Sequence, residues 1–206
     1  MPKAPGPVRS LLFLDTYRLL ILGEVFDVSD QERAYGYDYI NIVDTRDGYT
    51  DRQFEAIKPN DIVQIVKLGT GSVIVSAEPA GVVGWNTVDV NALDWVSKGI
   101  APLYMAAGPE GTALLVGEDG LSLTLLDTKD GTRIMSGRLA QIAVGDPIFF
   151  EGMFIVPTQG GIEILGPDIV KVGSVVIEGY GDKAGILGVT DGFYFVGEDL
   201  VAKFGF

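Results

Sequence analysis

The chain has 206 residues, 47% hydrophobic and 21% charged, enough to bury a substantial core and too apolar for a disordered chain. With 28 acidic against 15 basic residues its net charge is −13, which opposes binding to nucleic-acid phosphates and to anionic membrane surfaces. It contains no Cys and no His, which excludes disulfides, thiolate and Ser-His-Asp catalysis, and zinc or haem sites that need imidazole or thiolate; oxygen-ligated calcium stays open.

At the start of the chain, Lys3 and Arg9 precede Leu11-Leu12-Phe13-Leu14 and imitate a secretion signal. Asp15 and Arg18 interrupt the apolar stretch, so no signal peptide is expected. No run approaches the ~18 apolar residues of a membrane span. The expectation is therefore a cytoplasmic or virion-associated chain without membrane insertion. Only 4 Asn and 5 Gln occur, a composition compatible with a hot habitat.

The first unit, about residues 10–58, carries the apolar run Leu20-Ile21-Leu22 before Gly23-Glu24. A polar insert, Asp27 to Tyr37, follows and reads as an added loop, with Tyr35, Tyr37 and Tyr39 at its end. Ile40 to Val43 then runs into Asp44-Thr45-Arg46-Asp47-Gly48, and Asp47 to Lys58 reads as a loop plus strand. The second unit, 59–99, has Val73-Ile74-Val75 before Ser76-Ala77 and holds both tryptophans, Trp85 and Trp95.

In the third unit, 100–142, strands are expected at Pro102 to Ala106, Ala113 to Val116 and Leu121 to Leu126. A weaker segment lies around Arg133 to Met135 and Leu139 to Ile142. The fourth unit, 143–180, has Pro147 to Phe150, Met153 to Val156, Gly161 to Leu165 and Ile169 to Ile177. The fifth, from 181 to 206, has Gly185 to Val189, Phe193 to Val196 and Leu200 to Phe204, one strand fewer than the others. Gly- and Asp-rich turns separate these strands, so each unit reads as an antiparallel meander.

Measured at Leu22, Val75, Val116, Val156 and Val196, the last residues of the marked runs, the steps are 53, 41, 40 and 40. Without the 11 residues of the insert the first step is 42. A fixed period of this size marks a repeat architecture whose units cannot bury their apolar faces alone. A second likeness joins Asp44-Thr45-Arg46-Asp47-Gly48 to Asp127-Thr128-Lys129-Asp130-Gly131, at an offset of 83. The Asp-x-x-Asp-Gly spacing lacks the alternating ligands of an EF-hand and reads as a β-turn with a left-handed Gly.

Four-stranded meanders at a forty-residue period resemble the blades of a β-propeller, and the apolar–Asp-Thr-basic-Asp-Gly stretches look like blade ends of PQQ-type and WD-type repeats. The Gly-His and Trp-Asp signatures of the WD family are absent. The resemblance implies an all-β, five-bladed single domain similar in size to the tachylectin kind of lectin. In it residues 2 to 9 would supply the outer strand that the fifth unit lacks. The alternative fold is tandem β-barrels of about 85 residues, following the two-unit duplication.

The same resemblance implies that inter-blade loops deliver residues to one mouth of a channel. Asp61, Asp146 and Asp182 stand at the starts of inner strands and are candidate calcium ligands there. Similar five-bladed glycosidases use inner-strand carboxylates as an acid and base pair, so Asp61 and Asp146 are also candidates for that chemistry. Turn-capping by the side chain is the simpler account of both. Trp85 and Trp95 are candidate platforms for a sugar ring or anchors for a protein. Tyr35, Tyr37 and Tyr39 are candidate contact residues, because specificity tends to sit on loops added to a rigid scaffold. The expectation from these residues is a non-enzymatic protein-binding or self-assembling structural module without a cofactor, with a lectin-like propeller and a small glycosidase as the alternatives.

Overall fold

The computed structural model describes residues 3–27, 35–48, 50–54, 61–68, 72–78, 81–86 and 93–205. Among them are nineteen strands, all paired antiparallel with their neighbours in sequence, and a single 3-10 turn at Pro109–Gly111. The chain divides into two compact units, Met1–Lys98 and Gly99–Phe206.

The first unit holds two four-stranded meanders. One comprises β1 (Lys3–Phe13), β2 (Arg18–Asp27), β3 (Tyr35–Asp44) and β4 (Thr50–Phe54). The other comprises β5 (Asp61–Leu68), β6 (Ser72–Glu78), β7 (Gly81–Asn86) and β8 (Leu93–Ser97). Leu14, Leu20, Leu22, Ile40, Ile42 and Val73 form a buried cluster that draws on both sheets. Alternation explains it: Leu20 and Leu22 are buried while the intervening Ile21 is half-buried.

The second unit holds three meanders. They are β9 (Pro102–Ala107), β10 (Thr112–Gly117), β11 (Ser122–Asp127) and β12 (Arg133–Arg138); then β13 (Ile148–Phe150), β14 (Met153–Thr158), β15 (Gly161–Leu165) and β16 (Lys171–Val176); then β17 (Ala184–Val189), β18 (Gly192–Gly197) and β19 (Val201–Gly205). The middle sheet is covered on both faces. Phe154, Val156 and Leu165 pack with Leu114, Val116, Leu123 and Leu125 of the preceding sheet. Ile155 and Ile162, pointing the other way, pack with Phe193 and Phe195 of the following one. This is why the marked runs of β10 and β14 are apolar at consecutive positions instead of alternating: a strand covered on both faces has no solvent side.

Turn chemistry matches the backbone. Glu151 and Gly152, at φ 49° and 80°, join β13 to β14 in a two-residue hairpin with both central residues left-handed, the geometry that suits strand twist. The two Asp-Thr-basic-Asp-Gly stretches fold identically. Gly48 and Gly131 are left-handed, and each donates its N–H to the carbonyl of Asp44 or Asp127 at 2.9 Å. The first Asp accepts the N–H of Arg46 or Lys129, and the Thr N–H bonds the Tyr17 or Gly111 carbonyl at 2.7 Å. Both are turns, as their spacing predicts.

Three expectations change. Residues 3–13 do not complete the fifth sheet: they pair with β2 from Lys3↔Asp27 to Phe13↔Leu19, and the sheet of β17 to β19 has three strands among the described residues. Register shifts between Pro5, Val8 and Ser10 let this edge strand carry its prolines, which have no N–H to donate. The insert is also less of a loop than expected. Phe26↔Gly36 and Asp27↔Tyr35 are ladder pairs, so β2 and β3 reach ten residues each; the aromatic-rich, β-favouring Tyr35 to Tyr39 stretch extends the hairpin. The tandem-barrel alternative falls, because the strands form five separate open meanders.

Candidate functional site

Among the described residues of the second unit, the sheet of β17 to β19 is covered on one face. Ala184, Phe193 and Phe195 are buried, with Tyr180 edge-on to Phe195 at 5.0 Å between ring centroids. On the opposite face, Leu187 is 61% exposed, Val196 41% and Val201 65%. Cross-strand register places them together, since Leu187 faces Tyr194, Tyr194 faces Lys203, and Val196 faces Val201. At one end Lys203 Nζ donates to Asp191 Oδ2 at 2.7 Å and lies 5.8 Å from the Tyr194 ring centroid. The hydrogen bond from Lys203 lowers the Asp191 pKa, and the same bond raises that of Lys203. An apolar patch with a charged, aromatic margin is suited to contact with another protein surface.

A second feature lies where residues 139–143, the connection after β12, cross β15. Glu163 stands between Ile162 and Ile164 on β15, and its side chain is 3% exposed. Its Oε1 accepts the backbone N–H groups of Ala140 at 2.9 Å and Gln141 at 3.0 Å. Its Oε2 is buried and has no hydrogen-bond donor among the described residues, and Lys171 Nζ forms an ion pair with it at 3.7 Å. Gln141, Thr158, Gly160, Glu163, Lys171 and Ser174 line a pocket of about 40 Å³ here. Gly160 shapes the wall, since a Cβ there would come within 2.0 Å of the Gln141 side chain.

The residues singled out by the sequence are spread over both units. Tyr35, Tyr37 and Tyr39 occupy alternate positions of β3, opposite Asp27, Val25 and Gly23 of β2; their side chains lie outside the described residues. So does the side chain of Trp85, on β7 opposite Val73. Trp95 is buried, with its indole against Gly84 of β7. Asp61 is the first residue of β5, again with its side chain outside the described residues. Asp146 and Asp182 each precede the first strand of a sheet by two residues, and both are exposed. Asp146 acts on Tyr104, whose pKa is raised by burial first and by this carboxylate second. Among the described residues, no group of three or more Asp, Glu, His or Cys side chains is placed to hold a metal ion.

Sequence comparison identifies no relative: no protein-family profile and no curated protein matches the chain. Structure comparison does find relatives in shape. The chain is similar to BamB from Moraxella catarrhalis at 13% identity, with a TM-score of 0.69 over 95% of this chain and 58% of that one. It is similar to Sqt1 from Saccharomyces cerevisiae at 9% identity, with a TM-score of 0.67 over 97% of this chain and 72% of that one. Both are β-propeller proteins of the WD and PQQ type, so the fold is that of a β-propeller. The chain spans less than two thirds of the length of the BamB chain.

Proposed function

We propose that this chain is a five-bladed β-propeller, one blade to each antiparallel sheet, that serves without catalysis as a binding or structural scaffold. It works through protein–protein contacts, as a component of a larger assembly such as a virion or a surface particle. The observation that carries this reading is the uncovered face of the β17 to β19 sheet, where Leu187, Val196 and Val201 stand exposed beside Tyr194. Water is a poor neighbour for such a patch, and burying it against protein is favourable at roughly 25 cal/mol per Å². The propeller likeness supports the reading by supplying a rigid frame for contact surfaces.

Light scattering over a range of concentrations tests it. The 22.0 kDa chain is expected to associate as concentration rises, and Leu187→Asp with Val201→Asp is expected to restore the single-chain mass without lowering the melting temperature. A strict monomer at every concentration, unchanged by the two substitutions, would overturn this face as an assembly contact.

A further inference from the structure

We propose that the Glu163 pocket binds a primary ammonium group, with Glu163 Oε2 as the anionic acceptor. This oxygen is buried, and among the described residues no donor stands within hydrogen-bonding reach of it. Lys171 Nζ, at 3.7 Å, forms an ion pair with this oxygen but is too distant for a hydrogen bond, and its side chain is 44% exposed, so it stands at the mouth of the pocket. Meanwhile the two backbone N–H bonds to Oε1 hold the carboxylate in place. Its second oxygen is therefore presented in one orientation, without freedom to turn toward solvent.

The chemistry of the pocket selects among occupants. An anion would meet the carboxylate at close range, and an apolar group would leave a buried oxygen without a hydrogen bond. A hydrogen-bond donor with positive charge satisfies both conditions. At about 40 Å³ the pocket exceeds the roughly 10–15 Å³ that one water needs, yet is small for a ring or a phosphate. An –NH₃⁺ group with its first carbon suits that size. Its three donors would meet Glu163 Oε2 and a lining that includes Gln141, Thr158 and Ser174, residue types whose side chains carry acceptor oxygens. The net charge of −13 favours the approach of a cation. The end of a lysine side chain and a free alkylamine present the same group. The inference does not depend on the scaffold reading, which concerns a different sheet.

The test is a titration of n-butylammonium chloride into ¹⁵N-labelled protein, following the amide signals of Ala140 and Gln141. A saturable shift is expected that tetramethylammonium chloride, a cation without N–H donors, does not reproduce. Glu163→Gln is expected to abolish it. Ser174→Leu, which keeps Glu163 and obstructs the pocket from the exposed edge strand, is expected to do the same in a protein of unchanged melting temperature. Lys171→Ala is expected to leave binding intact or tighter. Equal shifts with both cations, or binding that survives Ser174→Leu, would overturn the proposal, as would weaker binding in Lys171→Ala. A second arm compares the peptide acetyl-Gly-Lys-Gly-amide with its Nε-acetyl-lysine form. Binding of the first alone assigns the pocket to a protein lysine; binding of butylammonium without either peptide assigns it to a free amine.

Discussion

Trp95 lies across Gly84, its direct partner on the neighbouring strand, so closely that a Cβ at position 84 would come within 2.1 Å of the indole Cε2. Glycine weakens a strand interior, and here it makes room for a large aromatic ring to cover the ladder. Gly84→Ala is expected to displace the ring and destabilise the first unit by about 1–3 kcal/mol, the usual cost of overpacking. A denaturant midpoint that does not move would contradict the contact.

Gly145 presents a harder constraint. Its Cβ would stand 1.8 Å from the carbonyl oxygen of Ala184, a backbone atom that cannot rotate away, and the neighbouring Val144 carbonyl accepts the Ala184 N–H at 3.3 Å. Gly145→Ala therefore separates the start of β17 from residues 143–145. The expected result is a lower melting temperature with a selective loss of amide protection at Ala184, read by hydrogen exchange.

Phe154 is fully buried, with its ring edge-on to Phe149 at 4.9 Å between centroids. It also fills the space over Gly108, where a Cβ would come within 2.7 Å of its Cζ. Phe154→Ala leaves a cavity between two sheets and is expected to cost about 3–5 kcal/mol in chemical denaturation.

Acid is expected to act on the turns. Asp44 is held at about 2, against an ordinary 3.8, chiefly by the side-chain hydrogen bond from Arg46 and then by the Arg46 N–H. Asp119 is likewise held at about 2, by the N–H groups of Ser122 and Leu121 and by the Ser122 hydroxyl. Both pKa values are depressed on folding, so their stabilisation is complete above 3.8 and is lost as pH falls through about 2. Melting temperature is expected to decline across that interval, and Asp44→Asn with Asp119→Asn to flatten the decline. Identical acid profiles for the two proteins would exclude these turns as the titrating elements.

Much of the fold is legible in the sequence because turns and strands of this kind are locally specified. Asp127 to Gly131 needs only its own Asp and Gly to close, and Phe154-Ile155-Val156 shows a strand covered on both faces by having no polar position. The Glu163 pocket was not legible for the opposite reason. Glu163 between Ile162 and Ile164 has the alternation of a strand with one solvent face, and nothing nearby indicates otherwise. It is buried because residues 139–143, twenty or more positions earlier, fold over it, and Ala140 and Gln141 bond its carboxylate. Trp95 is similar: its burial depends on a glycine on the adjacent strand, which no periodicity announces. The N-terminal strand is placed wrongly by the sequence because the fifth unit is one strand short and the other terminus offers one, whereas Lys3 to Phe13 pair with β2, their neighbour in the chain.

The two-sided cover of the β13 to β16 sheet also bears on how firmly each part of the second unit is held. Its amides are screened by sheets that directly precede and follow it in sequence, while β18 has a single covered side. Hydrogen exchange is then expected to find β17 to β19 opening as one unit at lower free energy than β14, whose amides exchange with global unfolding. The contacts between these meanders join neighbours in the chain, so within the second unit their formation needs no distant loop to close first.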